Sequence, residues 1–235
     1  MPRPGGRFLH PGPPTGAGLN TFRVDTSTNQ SIINMTILRQ TIFTIFCCLW
    51  AAAAPAAEAF TAEDEVRALL ESIKQIQSGD ALTPEQIKKN EENSGKALTR
   101  MAMDEVSRKA LGKYWDKTPP EDQKKFSNLL SQLFVHVAFP SSAKFFSGLK
   151  LEFSKAVIEE TRAVVPMVVT HSQEGEVGIE FHMAKFGDAW RVVDVYLDDV
   201  SMRNNLRNQF YKVLSKNDFS DLLQRMEKKL NEART

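Results

Sequence analysis

The chain has 235 residues, and its 30 lysines and arginines nearly balance its 29 aspartates and glutamates. A nucleic-acid-binding protein usually has a basic stripe and a high isoelectric point, whereas this sequence has mixed charge and an isoelectric point near 7.8. We therefore expect no nucleic-acid partner. The hydrophobic content of 42% suits one folded domain. The 15 phenylalanines far outnumber the tyrosines and tryptophans, which fits either a deep core or an apolar pocket.

The N-terminal quarter of the chain does not resemble part of a fold. Residues 1–34 are rich in proline and glycine and then polar, so we expect them to be disordered or untranslated. Residues 35–59 have the parts of a secretory signal peptide: a basic start with Arg39, an uncharged apolar run, and Ala57-Glu58-Ala59 as cleavage site. The run is shorter than the roughly 20 residues of a membrane-spanning helix. We predict cleavage after Ala59 and one domain over residues 60–235 in the bacterial periplasm; a retained N-terminal anchor is the alternative.

Both cysteines, Cys47 and Cys48, fall inside this apolar run. Phe46 precedes Cys47, where a lipoprotein signal requires a small residue. The mature chain would then contain no cysteine, which excludes cysteine nucleophiles, cysteine-zinc sites and thiol redox motifs.

The first part of the predicted domain has helical periodicity. Apolar residues three and four apart predict a helix over 60–78. Thr83-Pro84-Glu85-Gln86 is the start sequence of a capping box and predicts a second, polar helix. A third helix is expected over 103–111, ending at Gly112.

A second capping-box sequence, Thr118-Pro119-Pro120-Glu121, precedes the strongest amphipathic pattern of the chain. Apolar residues at helical spacing from Phe126 to Val137 predict a helix with one apolar stripe. Pro140 is expected to end it, and a short helical segment follows over 141–146.

The apolar period then changes from 3.6 to 2, which predicts four strands in an antiparallel meander, with turns at 173–175 and 187–188. The predicted strands cover residues 149–154, 161–170, 177–184 and 189–198. Pro166 indicates an edge or a bulge in the second of them. Two further helices are expected over 202–214 and 218–230. This order of helices, strands and helices predicts the α+β class.

The last predicted strand is apolar on both faces. Simple alternation puts Trp190, Val192 and Asp194 on one face and Val193 and Val195 on the other. A strand of this kind is covered on both sides, by helices or by a ligand.

Few residues suggest chemistry. No two of the histidines in the predicted domain have metal-ligand spacing, and no phosphate loop or nucleophile elbow is present. Glu180 and His182 share a strand face and are either an acid-base pair or part of a solvated face. Asp194 is either a base in a pocket or a structural acceptor for backbone N–H groups or arginine. We therefore predict no enzyme, no catalytic residue, no metal and no cofactor. The histidines are His10, His136, His171 and His182.

Three stretches of the sequence resemble the MlaC (toluene-tolerance) family of periplasmic phospholipid carriers. They cover residues 110–119, 164–169 and 190–223, and the last, beginning Trp190-Arg191-Val192-Val193-Asp194, is the most specific. The similarity extends over roughly residues 62–230. Asp199 is a departure, because the family commonly has glycine there.

The resemblance implies a twisted antiparallel four-stranded sheet wrapped by helices around a deep apolar cavity. It also implies a monomeric carrier that shuttles a phospholipid, or a hopanoid-like lipid, and maintains outer-membrane lipid asymmetry. The implied partners are an inner-membrane ABC transporter complex with a lipid-binding ring and an outer-membrane lipoprotein complex. We expect the headgroup to stay in water and twelve apolar side chains to line the cavity: Phe126, Leu130, Phe134, Phe146, Phe153, Val168, Phe181, Val193, Val195, Met202, Leu206 and Phe210.

Two other functions are compatible with the same pattern. One is a periplasmic interaction or chaperone module with a filled core, which would expose an apolar patch instead of holding a lipid. The other is an enzyme that uses Asp194 or His182 as a base in the cavity.

Overall fold

A computed structural model describes residues 60–79, 81–171 and 175–234. The predicted N-terminal extension, the signal peptide with both cysteines, His10 and the turn residues 173–174 lie outside the described residues.

Helices come first, strands follow, and two helices close the chain, as the α+β prediction requires. The α-helices are α1 (Ala62–Lys74), α2 (Pro84–Thr99), α3 (Met103–Leu111), α4 (Pro120–Leu133), α5 (Phe139–Phe146), α6 (Met202–Leu214) and α7 (Phe219–Arg234). A 3-10 turn covers Gly112–Lys117 and a π-helical turn covers Phe134–Ala138. The strands are β1 (Lys150–Phe153), β2 (Val157–Glu159), β3 (Arg162–His171), β4 (Gly175–Phe186), β5 (Ala189–Leu197) and β6 (Val200–Ser201).

Capping boxes begin the first two helices. Thr61 accepts a hydrogen bond from the backbone N–H of Asp64, and the Asp64 carboxylate accepts one from the backbone N–H of Thr61. The Thr61 hydroxyl also donates to that carboxylate, and these bonds lower the pKa of Asp64. Thr83 and Gln86 form the same reciprocal pair, as predicted.

The capping box predicted before α4 is wrong. The Thr118 hydroxyl donates backward to the carbonyl of Tyr114 at 2.8 Å, and Pro119 stands at the N-cap without a side-chain hydrogen bond. Because Thr118 closes the preceding 3-10 turn, its hydroxyl does not cap the helix that follows.

Pro140 does not end the long amphipathic helix either. The chain passes from α4 through the π-helical turn into α5, where Pro140 lies in the first turn. The N–H of Phe139 donates to the carbonyl of Phe134, five residues back. Proline has no backbone N–H to donate. It is tolerated here because the hydrogen-bond pattern changes from π-helical to α-helical at this point, so that donor is not required.

All strand pairs in the sheet are antiparallel, with the order β1-β3-β4-β5-β6, and β2 also pairs with β3. The sheet therefore has six strands rather than four, because β2 and β6 are short additions. β1 and β2 follow one another along the same edge of β3, and Pro166 lies opposite the gap between them. Its carbonyl accepts from Ser154 N–H at 2.9 Å, so its nitrogen faces the same gap. Pro166 thus occupies the irregular position that proline requires.

The turn between β5 and β6 explains the departure at Asp199. Asp198 and Asp199 have φ of 45° and 66°, in the left-handed region. A two-residue hairpin favours positive φ at both positions, which glycine adopts freely and aspartate tolerates.

A β-bulge in β5 overturns the simple face assignment. His182 pairs with Asp194, but the next residue, Met183, pairs with Val192. Val193 is the extra residue, so Val192 and Val195 lie on one face and Asp194 lies on the other. The predicted grouping of Asp194 with Val192 is wrong for this reason.

Two large apolar clusters pack within the described residues of the fold. The sheet core joins α1 and α5 to one face of the sheet, and Val66, Leu70, Val165 and Met167 are among its buried members. The helical core joins α3, α4, α6 and α7, and its buried members include Leu111, Phe126, Leu129 and Leu223. Phe134 contacts both clusters.

Candidate functional site

A cavity of about 720 Å³ lies between the two cores. Its wall is built from α4, the π-helical turn, α5, strands β4 and β5, and helices α6 and α7. Phe146, Ile179 and Phe181 belong to the sheet core, whereas Leu130 and Phe210 belong to the helical core. This volume falls within the 300–1,000 Å³ that is usual for ligand cavities.

The structure brings eight of the twelve predicted lining residues together in this wall. They are Leu130, Phe134, Phe146, Phe181, Val195, Met202, Leu206 and Phe210. Alternation along the strands and three- and four-residue spacing along the helices put these side chains on common faces.

The other four predicted lining residues lie elsewhere. Phe126 is fully buried behind the wall and packs edge-to-face on Phe210, with ring centroids 5.2 Å apart. Phe153 lies under the guanidinium of Arg67, 3.8 Å from its ring centroid.

The remaining two are strand residues. Val168 pairs with Gly178 and so lies on the sheet face opposite Phe181. Val193 is the bulged residue, and it packs against Ala102 and Ala184 in a small separate cluster.

Several wall residues were missed by the sequence reasoning. Ile179 and Leu197 are paired and share the face of Phe181. Leu222 and Met226 bring in the last helix, four residues apart. Their apolar stripe was visible in the sequence, but a stripe does not reveal whether it faces a core or a cavity.

Polar side chains form a second group at the cavity. Five of them are exposed, while the apolar wall residues named above are buried or half-buried, so these five mark the mouth. We call this group the rim; it consists of Ser141, Asn205, Gln209, Arg225 and Lys229.

Asp194 is a structural acceptor. Its carboxylate accepts hydrogen bonds from the N–H groups of Val195 at 2.9 Å and Arg203 at 3.0 Å, and from the Ser201 hydroxyl at 2.6 Å. The Arg203 guanidinium lies 3.3 Å from it. These contacts fix the start of α6, which Ser201 caps by accepting from Asn204 N–H.

His182 and Glu180 do pair, at 3.0 Å, and His182 stacks on Tyr196 with ring centroids 4.2 Å apart. Because His182 is in register with Asp194, both lie on the sheet face away from Phe181 and the cavity. The structure therefore does not place Asp194 or His182 in the cavity as a base.

His136 belongs to the π-helical turn and faces α7. Arg234 Nη2 donates to Gln132 Oε1 at 2.8 Å and lies 3.3 Å from His136 Nε2. Burial lowers the pKa of His136, the positive charge of Arg234 lowers it further, and Glu91 opposes them.

Residues 60–79, 81–171 and 175–234 contain no group of three or more His, Cys, Asp or Glu side chains arranged to hold a metal ion. Within the same residues no helix has both the length and the apolar character needed to cross a membrane.

Comparisons with known proteins identify relatives of this chain. Among curated proteins, no sequence matches it significantly. A solved structure of a phospholipid-binding protein from Ralstonia solanacearum, in complex with a phospholipid, has a similar fold, with a TM-score of 0.61 at 19% identity. The match covers 76% of this chain and all of that one. The MlaC protein family model matches residues 63–228, close to the extent that the sequence resemblance predicted, and the chain therefore belongs to the MlaC family.

Proposed function

We propose that this protein is a carrier that binds a phospholipid, or a similar hydrophobic lipid, in the cavity between its two cores. The observation that carries the proposal is an apolar cavity of about 720 Å³ in a fold of the MlaC family. The similar protein from Ralstonia solanacearum was solved with a phospholipid. In this proposal the protein is not an enzyme, and its wall supplies an apolar environment rather than reactive groups.

The energetics of lipid transfer make such a carrier necessary. A diacyl lipid that leaves a membrane exposes about 30 methylenes to water, at about 0.8 kcal/mol each, or over 20 kcal/mol in total. Free diffusion between two membranes is therefore negligible. A protein that replaces the bilayer with an apolar wall removes most of this cost, and phenylalanine and methionine side chains adapt to chains of different length.

The wider role follows from the family resemblance. We propose that the mature domain, residues 60–235, acts as a monomer in the periplasm after removal of the signal peptide at 35–59. It would exchange lipid with an inner-membrane ABC transporter complex that bears a lipid-binding ring and with an outer-membrane lipoprotein complex, and so maintain outer-membrane asymmetry. Mass spectrometry of the exported protein tests the cleavage: we expect an N-terminus at Phe60, and an intact Met35 would contradict it.

Native mass spectrometry of protein purified without detergent tests lipid binding directly. We expect one lipid per chain, and the mass of the released molecule gives its class. An apo mass, with no uptake from added vesicles, would instead favour the interaction module with a filled core.

A matched pair of variants tests the cavity itself. Val195 lines the cavity and Val168 lies on the other sheet face, and both are half-buried strand valines. We expect Val195→Asp to lose most bound lipid, because a carboxylate in an apolar wall is costly to desolvate, and Val168→Asp to keep it. Thermal unfolding of both variants verifies that they fold. A full lipid complement in Val195→Asp would contradict the assignment of the cavity.

A further inference from the structure

Rim residues on two helices follow apolar wall residues at a constant spacing of three positions in the sequence. On α7, Leu222 and Met226 are buried in the wall, and the cations Arg225 and Lys229 follow each of them by three residues. Residues three apart are neighbours on a helix surface, so the two cations form a row directly outside the two apolar side chains. Both cations are exposed.

Helix α6 repeats this arrangement with neutral groups. Met202 and Leu206 line the wall, and Asn205 and Gln209 follow each by three residues at the rim. Gln209 Nε2 donates to Asn205 Oδ1 at 3.3 Å, which keeps the two amides in one row. The mouth therefore has cations on α7 and amide donors and acceptors on α6.

The charged residues that line the cavity itself are both cations. Among the described residues that line the cavity, none carries a carboxylate. Asp221 pairs with Arg225 through Nε at 2.7 Å, and the planar guanidinium has further donors at its terminal nitrogens. Glu232 is 3.8 Å from Lys229 Nζ, a long contact that leaves the ammonium only loosely held.

We propose that Arg225 and Lys229 bind the phosphate of the lipid headgroup at the rim, while the acyl chains occupy the cavity. This inference rests on the proposed function and revises the expectation that the headgroup stays in water without recognition. A phosphodiester is an anion attached directly to apolar chains, so chains buried against Leu222 and Met226 bring it to the adjacent row. Guanidinium and ammonium groups both bind phosphate oxygens, and the guanidinium does so with two parallel hydrogen bonds.

The expected effect is modest because both cations are exposed. A surface ion pair of this kind changes affinity by about two- to fivefold. Removing both cations should therefore reduce the preference for a phosphate-bearing lipid by about tenfold.

Competition between two lipids in one vesicle measures that preference. The exported protein, freed of lipid, is incubated with vesicles of phosphatidylglycerol that contain diacylglycerol with the same acyl chains, and the lipids it extracts are quantified by mass spectrometry. Since both lipids leave the same vesicle, the ratio does not depend on how strongly the protein docks on an anionic surface. The diacylglycerol taken up also reports whether a variant still has a working cavity.

We expect Arg225→Gln/Lys229→Gln to extract diacylglycerol normally but to lose about tenfold in its phosphatidylglycerol preference. The control Lys212→Gln/Lys228→Gln removes two exposed lysines from α6 and α7 that do not line the cavity, and it should behave as the wild type. An unchanged ratio in the rim variant, or an equal fall in the control, would overturn the inference.

Repeating the competition with inorganic phosphate, added at the same concentration as the lipid, distinguishes a site for the lipid headgroup from a site for free anions. Because the acyl chains hold the lipid phosphate at the rim, free phosphate at equal concentration should leave the ratio unchanged. Loss of the preference would show a free-phosphate site and overturn the headgroup assignment. Absence of both lipids from the wild-type protein would overturn the proposed function as well.

Discussion

The helical core and the cavity wall use the same residue types in different packing. Phe126 and Phe134 belong to one apolar stripe, eight residues apart. Phe126 has no exposed surface and packs against Phe210 and Phe219, with ring centroids 5.2 and 6.3 Å away. Phe134 is half-buried, packs against Phe139 at 5.8 Å, and faces the cavity. A phenylalanine therefore fills a core at one end of the stripe and lines the cavity at the other.

The backbone changes between these two positions. Helix α4 ends at Leu133 and the π-helical turn begins at Phe134. A π-helical turn contains one residue more than an α-helical turn, so it shifts the angular position of the side chains that follow. The cavity wall continues across this change, from Leu130 and Leu133 in α4 to Val137 in the turn.

Replacing the two phenylalanines gives the largest expected effect. Phe126→Ala should lower the free energy of unfolding by about 3–5 kcal/mol, because it leaves a void in a filled core. Phe134→Ala should cost about 1–2 kcal/mol, because space already adjoins that ring. Urea denaturation monitored by circular dichroism measures both. Equal losses would mean that the wall closes into a filled core in solution.

Replacing Asp194 tests whether its hydrogen bonds hold helix α6, and with it part of the cavity wall, in position. Helix α6 supplies Phe210 to the helical core and Leu206 to the wall, and its first turn is fixed by Asp194. Asp194→Asn should lower the free energy of unfolding by about 1–3 kcal/mol, because an amide cannot replace a buried carboxylate beside Arg203.

Glu180→Gln is the control, because Glu180 lies on the same sheet face but its side chain keeps 45% of its surface exposed, and the loss should be under about 0.5 kcal/mol. We expect folded Asp194→Asn to keep its lipid. Wild-type stability in this variant would show that the contacts are not needed to hold α6.

Local patterns predicted the elements of this fold well. Helical stripes, strand alternation and the glycine at the end of α3 all correspond to elements of the structure, because each depends on neighbouring residues. A structural acceptor was one of the two roles that the sequence allowed for Asp194, since a carboxylate in an apolar strand needs partners.

Two of the errors come from features that add one residue to a repeat. The bulge at Val193 reverses the faces of β5, and the π-helical turn carries the helix past Pro140. Neither has a signature in the local apolar pattern. The cavity itself was not predictable from these patterns, because a buried wall residue and a buried core residue have the same chemistry; Phe126 was misplaced for that reason. The resemblance to a family supplied the cavity instead.

Protonation of His136 is expected to have the smallest effect on stability of the changes considered. This residue lies in the π-helical turn, and neutral His136 accepts a hydrogen bond from Arg234, whereas the protonated ring does not. Its pKa in the folded protein is lowered from 6.5, first by burial and then by Arg234. As the pH falls through 6.5, the unfolded chain takes up a proton before the folded chain does, so stability falls until the pH is below the folded pKa.

Thermal unfolding between about pH 7.5 and pH 5.5 should therefore show a small loss that His136→Gln lacks. Arg234→Gln should show part of the loss, because burial of His136 remains after the nearby positive charge is removed. Hydrogen exchange, corrected for its intrinsic pH dependence, locates the effect: we expect amides of residues 134–138 to lose protection in acid before those of residues 121–130. Equal loss in both segments would mean that the proton acts on the whole fold and that the π-helical turn does not open separately.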